Sequence, residues 1–409
     1  MPKIQEHRQG QPSPLIFHLG AAAFGYQAAV TSASEKNSAS FEWHPELLDQ
    51  AAGIGGLNPL LLHRAALNRI QATLSGLHKW QTHPYRRDMA DPPELWSAGS
   101  SRLLDFGICP EAVNPNGRPI LIVPSLINRA YILDLRQNCS LLRFLAAKGL
   151  RPLLLDWGVP TDVERSFDLN SYVTQRLQPA FHIAKALSEQ PIGVLGYCMG
   201  GTLAAGFLSL QNDEVGAFAT LGSPWDFSAS SGVTAVMRAL ATKSKAADLI
   251  DELGQVFGMV PADYFQQLFA LIDPIQVAVK FRKLDEMATD ASSIEHFIAI
   301  EDWLADGVPM VTQSAKNLLI DWNMNNATAR GVWRLMNQQI NLSGLRMPSL
   351  HVCGLRDSIS QINVSTAMAN EIPNSMTLTP DTGHVGMIVG SKARETVWEP
   401  VAKHFICNL

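Results

Sequence analysis

The sequence predicts an α/β fold, a mostly parallel sheet with helices on both faces. From Arg102 onward, short apolar runs alternate with longer stretches of helical spacing, which is typical of parallel strands joined by helices. The apolar runs are nearly uninterrupted, as expected for strands covered on both faces. The segment Gly196–Gly201, Gly-Tyr-Cys-Met-Gly-Gly, lies between one such run and a stretch of small, helix-compatible residues. The other predicted core elements precede and follow this strand–turn–helix unit in the sequence.

Local signals place the remaining core elements. Ser140 is expected to cap a helix that runs to Lys148 and is closed by Gly149. Asp168 begins another helix, which Pro179 should kink. The predicted strands are Arg102–Phe106, Pro119–Ser125, Leu153–Trp157, Ile192–Leu195, Gly216–Leu221, Ser349–Cys353 and Ser375–Leu378, and a last helix spans about residues 393–405.

Two helical regions flank or interrupt this core. Residues 1–96 are expected to form an N-terminal helical extension, with helical spacing over His44–Leu77. Strand signals also stop over residues 226–345, and this block is expected to be a helical cap inserted into a core of residues 97–225 and 346–409. Its helix-compatible runs are Val233–Leu240, Ala247–Phe257, Tyr264–Leu271 and Ile294–Trp303.

Pro14–Val30 is the longest nearly apolar stretch, interrupted by His18 and Gln27. It is interpreted as an amphipathic helix that packs on a partner or lies on a hydrophobic surface, and a plain docked N-terminal helix is an equal alternative. A signal peptide is disfavoured because the apolar region is interrupted. No uninterrupted apolar run reaches the length of a membrane span, so no transmembrane segment is expected.

The composition excludes several function classes. The 409 residues include 32 Lys and Arg against 37 Asp and Glu, a net charge of −5, so no nucleic-acid partner is expected. For the same reason, the aromatic and basic residues from Trp80 to Arg87 are interpreted as a connector rather than a surface for stacking bases and binding phosphates. The five cysteines are scattered without any Cys-x-x-Cys spacing, which argues against disulfides and a metal site and favours a reducing cytoplasm.

Cys198 is the candidate nucleophile. In the pattern Gly-x-Cys-x-Gly, the glycines allow a turn so sharp that the cysteine side chain is presented at the top of the sheet. The same position is a helix N-terminus, where the helix dipole favours the negative charge of a thiolate. Alone, the motif is equally compatible with a buried structural thiol, so residues elsewhere in the sequence must decide.

Asp357 and His384 complete a candidate triad. Asp357 follows one predicted strand and His384 follows the last, so nucleophile, acid and histidine occur in the chain order of α/β-hydrolases. His384 would take a proton from Cys198 and later from an incoming hydroxyl, while Asp357 fixes the imidazole tautomer. The sequence therefore predicts the α/β-hydrolase fold together with its triad.

Two backbone amides are candidates for the oxyanion hole. Met199 directly follows the nucleophile and would supply one N–H. The second should come from the loop after the strand Pro119–Ser125. Because Pro124 has no N–H, Leu126 and Ile127 are the candidates, and Ile127 is preferred.

Four separated segments resemble the polyhydroxyalkanoate synthase family. They are Ile122–Leu135, the lipase-like box Gly196–Gly201, Gly354–Asp357 and Gly383–Gly386, in the family's order between about residue 97 and the C-terminus. The chain departs from the family pattern at Ser125, where a second proline is usual, and at Arg129, where a lysine is usual. It also departs after Asp357, where Ser-Ile-Ser-Gln replaces the usual His-Ile-Val-Pro. Its length and the stretch Glu301-Asp302-Trp303 are similar to the short type that pairs with a small helical accessory subunit.

The resemblance implies an acyltransferase that polymerises 3-hydroxyacyl-CoA thioesters into a polyester through a thioester on Cys198, releasing CoA. It implies no bound cofactor or metal, since the CoA thioester is the substrate. The implied partners are the growing polyester chain, the granule surface, and an accessory subunit or a second copy of the chain. The implied location is the cytoplasm, at polyester granules. The cap would keep water from the acyl-enzyme, which would otherwise be hydrolysed.

Two alternatives use the same residues. A thioesterase, depolymerase or dienelactone hydrolase would need the same triad, and dienelactone hydrolases also carry Gly-Tyr-Cys-x-Gly-Gly. The motif before Asp134 and the large cap argue against the small lactone hydrolases. The other alternative, a non-catalytic granule-associated protein on an inherited fold, is disfavoured by the intact triad.

Overall fold

The structure, a computed structural model, describes residues 15–34, 58–230, 235, 246–272, 274–287 and 290–409. These residues belong to two units. One unit lies within Met1–Arg86 and Asp273–Ala305, and the other within Arg87–Ile272 and Asp306–Leu409. The candidate triad belongs entirely to the second unit.

An eight-stranded sheet organises the described part of the second unit, in the order β1-β2-β6-β3-β7-β8-β11-β12. Strands β1 and β2 are antiparallel to their neighbours, and the neighbouring strands of the series β6, β3, β7, β8, β11 and β12 pair in parallel. The strands of the second unit are β1 (Glu94–Ala98), β2 (Ser101–Asp105), β3 (Pro119–Val123), β4 (Asp134–Arg136), β5 (Cys139–Ser140), β6 (Arg151–Asp156), β7 (Ile192–Tyr197), β8 (Val215–Leu221), β9 (Arg334–Leu335), β10 (Gln338–Gln339), β11 (Ser349–Val352) and β12 (Ser375–Leu378). The expected mostly parallel sheet is therefore confirmed.

The sheet register determines where the site lies. In the β7–β8 pair, Gly196 is opposite Thr220 and Tyr197 is opposite Leu221. Val352, at the end of β11, is also opposite Leu221. The carboxyl ends of these three parallel strands therefore meet at one edge, which is where open α/β sheets bind ligands.

Helices cover the sheet on both faces, as expected. The helices of the described residues are α1 (Leu15–Ser34), α2 (Pro59–Thr82), α3 (Leu141–Ala147), α4 (Leu169–Tyr172, Val173–Leu177 and Gln178–Ala186), α5 (Met199–Leu210), α6 (Ala246–Phe257), α7 (Ala262–Ile272), α8 (Pro274–Glu286), α9 (Ala291–Ala305), α10 (Thr312–Lys316 and Asn317–Met324), α11 (Ile362–Glu371), α12 (Gly386–Val389) and α13 (Arg394–Trp398 and Glu399–Asn408). Buried aliphatic and aromatic side chains from the strands, α4 and α5 form one continuous core.

The predicted helix signals of the core are confirmed. Ser140 Oγ accepts the N–H of Arg143 at 3.0 Å, and Asp168 Oδ1 accepts the N–H of Ser171 at 2.7 Å, so each caps its helix. In α4 the turn Val173–Leu177 is π-helical and lies just before Pro179. Because proline cannot donate to the preceding turn, the helix widens here, at the position where a kink is predicted.

The first unit consists of α1, α2, α8 and α9. Its core packs Leu77, Trp80 and Phe281 together, with the Trp80 and Phe281 ring centroids 6.2 Å apart. His18 of α1 is buried against Phe281 at 4.9 Å, so Leu15–Ser34 is a helix docked within this unit. Among the described residues, no helix is long and apolar enough to cross a membrane.

The structure agrees with several further expectations and adds elements that were not predicted. Trp80 is buried, and Arg87 donates to the Asp134 carbonyl at 3.0 Å, so this stretch is a connector and not an open stacking surface. Strand β1, helices α8, α10 and α11, and the short strand pairs β4–β5 and β9–β10 are additional to the predicted elements. Of the helix runs expected between residues 226 and 345, α6, α7 and α9 are found where expected, whereas Val233–Leu240, apart from Ala235, lies outside the described residues.

Candidate active site

Cys198 lies on the turn between β7 and α5. Its backbone has φ of 54° and ψ of −131°, outside the regions that non-glycine residues prefer. The N–H of Cys198 donates to Leu221 O at 2.9 Å, and its carbonyl accepts the N–H of Gly201 at 3.0 Å. Bonds to β8 and to the first helical turn therefore hold the strained conformation, and the side chain remains partly exposed.

The glycines beside the nucleophile are required by close backbone packing. A Cβ atom at Gly196 would overlap the backbone of Gly201, and one at Gly200 would overlap the carbonyl oxygens of Val123 and Pro124. These buried backbone atoms, in α5 and at the end of β3, cannot move aside as a flexible side chain can. The Gly-x-Cys-x-Gly pattern is thus explained by space as well as by the turn.

His384 and Asp357 meet beside the nucleophile. His384 Nδ1 lies 2.7 Å from Asp357 Oδ2, and both residues are buried. The other carboxylate oxygen, Oδ1, accepts the N–H groups of Ile359 and Ser360, each at 2.8 Å. Because a carboxylate only accepts hydrogen bonds, Nδ1 carries the proton, and Nε2 is the nitrogen left for proton exchange with the neighbouring Cys198.

The charges around His384 favour its protonated form. Burial alone would lower its pKa, but the charge of Asp357, the neighbouring Cys198 and the hydrogen bonds to both raise the pKa of His384 well above its ordinary value. A protonated His384 can coexist with a thiolate at Cys198 as an ion pair. Such a pair supplies a nucleophile and, afterwards, a proton donor for the leaving group.

Two neighbours of His384 were not among the residues singled out from the sequence. The ring of Tyr197 stacks on the His384 imidazole, with centroids 5.4 Å apart and planes at 28°. Gly222, with φ of 54°, lies so close that a Cβ atom would be 2.9 Å from His384 Nδ1. These contacts join residues more than 150 positions apart in the chain, and the only local signal is that both residues end or follow a core strand.

The candidate oxyanion donors lie on two segments. Met199 is the first residue of α5, so its N–H has no acceptor within the helix. The N–H of Ile127 donates to Ser125 Oγ at 3.2 Å. For Ile127 to serve as the second donor, this local bond must give way to the substrate oxygen. The assignment of Met199 and Ile127, with Leu126 as the alternative, stays a prediction.

The loop that carries Leu126 and Ile127 is anchored on both sides. Trp157 Nε1 donates to Pro124 O at 2.9 Å before the candidate donors. After them, Asn128 forms an antiparallel bridge with Gly307, and Arg129 Nε lies 3.2 Å from Asp306 Oδ1. These contacts fix the loop at the end of β3, next to the backbone of the nucleophile turn.

The remaining titratable groups do not extend the site. All five cysteines are free thiols, and Cys353 is buried, with burial raising its pKa to about 12. Within the described residues, no group of three His, Cys, Asp or Glu side chains is arranged to hold a metal ion. The chemistry that the geometry supports is acyl transfer to and from a cysteine, with proton transfer by a histidine.

Two family models match the chain. The model of the alpha/beta hydrolase fold matches residues 180–391, just over half of the chain, and includes Cys198, Asp357 and His384. The model described as the poly-beta-hydroxybutyrate polymerase (PhaC) N-terminus matches residues 102–145, which contain the loop after β3. The first match agrees with the sheet and the nucleophile turn described above.

Individual relatives of the chain are named PhaC, as is the second family model. The chain is 32% identical over 291 residues to the poly(3-hydroxyalkanoate) polymerase subunit PhaC of Haloferax mediterranei, an alignment that covers 70% of this chain and 58% of that protein. It is 30% identical over 291 residues to the subunit of Haloarcula marismortui, covering 70% and 60%, and 28% identical over 302 residues to that of Synechocystis sp., covering 73% and 79%. The chain thus spans less than two thirds of the first two relatives. These matches confirm the resemblance to the polyhydroxyalkanoate synthase family.

Proposed function

The chain belongs to the alpha/beta hydrolase fold family and is similar to its poly(3-hydroxyalkanoate) polymerases, and from this premise we propose that it transfers 3-hydroxyacyl groups from CoA thioesters to a growing polyester. The observation that carries the proposal is the buried His384–Asp357 pair, which lies beside Cys198 on a strained turn. Cys198 is the nucleophile, His384 the proton carrier and Asp357 the residue that fixes the imidazole tautomer.

Acylation forms a thioester on the enzyme. The Cys198 thiolate attacks the carbonyl carbon of the 3-hydroxyacyl-CoA, and the developing oxyanion is bound by the N–H of Met199 and by an N–H of the loop after β3. The bond to the CoA sulfur breaks, and the protonated His384 supplies a proton to the CoA thiolate. A thiol nucleophile suits this step, because the CoA thioester that breaks and the Cys198 thioester that forms are nearly equal in free energy.

Chain extension uses the same residues in the opposite order. His384, now neutral at Nε2, takes the proton from the 3-hydroxyl group of a second acyl group. The hydroxyl oxygen attacks the thioester carbon on Cys198, an ester forms, and the cysteine sulfur leaves as a thiolate beside the protonated His384. No cofactor or metal takes part in either step.

We further propose that the enzyme works in the cytoplasm at the surface of polyester granules. The free state of all five cysteines fits a reducing compartment. The growing polyester is then both product and partner. An accessory subunit or a second copy of the chain is proposed as a protein partner, because the relatives named above are called polymerase subunits.

The test is incubation of the purified chain with 3-hydroxybutyryl-CoA, following free CoA and turbidity together. The proposal predicts CoA release that is accompanied by insoluble polymer, and neither signal from the Cys198→Ala variant. CoA release with only soluble 3-hydroxy acid would instead identify a thioesterase, which needs the same triad. No CoA release, with or without an added accessory subunit, would indicate a non-catalytic protein.

A further inference from the structure

Tyr197 presents the face of its ring to the imidazole of His384. The ring centroids are 5.4 Å apart, and the planes are inclined by only 28°. A cation within about 6 Å of an aromatic centroid, above its face, is attracted by the ring quadrupole. The geometry is therefore that of a cation–π pair whenever His384 is protonated.

The hydroxyl group of Tyr197 does not explain this placement. Tyr197 is 4% exposed, and its hydroxyl has no hydrogen-bond partner among the described residues. Burial, together with the negative charges of Cys198 and Asp357, raises the pKa of Tyr197 well above its ordinary value. The hydroxyl thus stays neutral and cannot act as a base, and burying it without a partner disfavours folding. What Tyr197 offers to the site is its ring.

The position of Tyr197 makes the contact rigid. It is the last residue of β7, opposite Leu221 in the parallel pair with β8, and directly precedes Cys198. The backbone that holds the nucleophile therefore also holds the ring. On its other sides, His384 faces the carboxylate of Asp357 and the thiol of Cys198, and the backbone of Gly222.

We propose that Tyr197 is a positioning residue, whose ring face orients the imidazole of His384 and stabilises its protonated form during acyl transfer. The inference rests on the proposed triad but adds a residue that the triad does not include. Asp357 holds the edge of the imidazole at Nδ1, which leaves the ring free to rotate about that bond. A second contact on the face of the imidazole fixes the direction of Nε2 toward Cys198.

The matched variants are Tyr197→Phe and Tyr197→Leu. Phenylalanine keeps the ring face and removes only the unpartnered hydroxyl, so we expect unchanged acylation and no loss of stability. Leucine fills much of the same space without a π face. For Leu we expect acylation of Cys198 about tenfold slower and a pKa of His384 about one unit lower, because the protonated form loses its partner. NMR titration of labelled histidine reports that pKa independently of turnover.

A graded series removes the ambiguity of packing. Phenylalanine, 4-fluorophenylalanine and 3,4,5-trifluorophenylalanine incorporated at position 197 have nearly the same shape, but fluorine progressively weakens the negative face of the ring. The pKa of His384 and the acylation rate should fall stepwise along the series. A flat series, in variants whose urea midpoints match the wild type, would show that the ring only fills space and would overturn the proposal.

The outcomes separate this inference from the proposed function. If wild-type Cys198 is not acylated by 3-hydroxybutyryl-CoA, the proposed function fails, and the NMR titration still tests the contact between Tyr197 and His384. The other outcome is that the wild type is acylated and a folded Tyr197→Leu variant has the same acylation rate and the same pKa of His384. That result would overturn the role of Tyr197 and leave the proposed function intact.

Discussion

His384 and Asp357 are joined through a 2.7 Å hydrogen bond between Nδ1 and Oδ2, whereas the second oxygen of Asp357 is already bound to two backbone amides. The carboxylate therefore cannot rotate to follow the imidazole. It fixes which nitrogen carries the proton, and its role is to orient His384 more than to move protons itself.

The first prediction compares His384→Gln with Asp357→Asn. Glutamine cannot carry the proton, so nearly all activity should be lost. In Asp357→Asn the amide oxygen can still accept the N–H groups of Ile359 and Ser360, which directs the amide nitrogen at His384 Nδ1 and favours the wrong tautomer. Chain extension should fall at least about tenfold more than acylation, because it needs a neutral hydroxyl deprotonated. Rapid-quench measurement of the CoA burst and of steady-state polymer would separate the two steps, and equal damage to both would contradict the prediction.

Replacement of the nucleophile should affect chemistry but not folding. Cys198→Ala should abolish acyl transfer while changing the free energy of unfolding by less than about 1 kcal/mol, because only one sulfur atom is removed from a side chain that is partly exposed at the edge of the core. Urea unfolding followed by circular dichroism, together with CoA release, measures both effects. Substantial CoA release by the purified variant would assign the nucleophile to another residue.

Much of the candidate site could be predicted because its signals are short motifs and the order of those motifs along the chain. The sequence itself shows the glycines around Cys198. It also shows that Cys198, Asp357 and His384 follow predicted strands in this order. The caps Ser140 and Asp168 were likewise found because a capping side chain acts within three residues of its acceptor.

The missed features depend on register and on distant packing. Tyr197 stacks on His384, 187 positions later in the chain, only because the β7 register and the loop after β12 bring them together. The anchor from Arg129 to Asp306 spans 177 positions in the same way. Strand β1 has mostly exposed side chains and hence no apolar alternation that would reveal it.

A buried ion-pair network around Asp134 should contribute strongly to stability. Asp134 is buried and accepts from Arg143 Nε at 2.8 Å, while Arg87 contacts its second oxygen at 3.3 Å. Asp134→Ala leaves Arg143 buried without this partner, so the free energy of unfolding should fall by about 3–5 kcal/mol. Asp134→Asn, which preserves the shape, should cost less.

The matched control for this prediction is an exposed pair in the same unit. Arg165 and Asp162 lie 2.6 Å apart, but their side chains are 60% and 87% exposed. Asp162→Ala should therefore cost less than about 1 kcal/mol. Urea unfolding of the three variants gives the comparison, and similar losses for Asp134→Ala and Asp162→Ala would contradict the role of burial.

The last prediction concerns acid stability and the buried histidine of β11. His351 is fully buried; Nδ1 lies 2.8 Å from Thr220 Oγ1, and Nε2 lies 3.1 Å from Ser349 Oγ. Burial, with a smaller effect of nearby His404, lowers the pKa of His351 to about 3. Burial also lowers the pKa of His404, whose Nε2 is 2.9 Å from Phe218 O.

The pH dependence of stability follows from the different proton uptake of the folded and unfolded chains. Between about pH 6.5 and pH 3 the unfolded chain binds a proton at His351 that the folded chain does not bind. The stability from a neutral His351 is therefore present above the unfolded pKa and is lost as the pH falls, by about 1.4 kcal/mol for every pH unit well below 6.5. His351→Asn removes this proton. It should lower stability at pH 7 but make the decrease between pH 6 and pH 4 shallower by about one proton, as measured by urea unfolding at each pH. The same substitution at exposed His182 is the control, and an unchanged slope in His351→Asn would show that acid unfolding begins elsewhere.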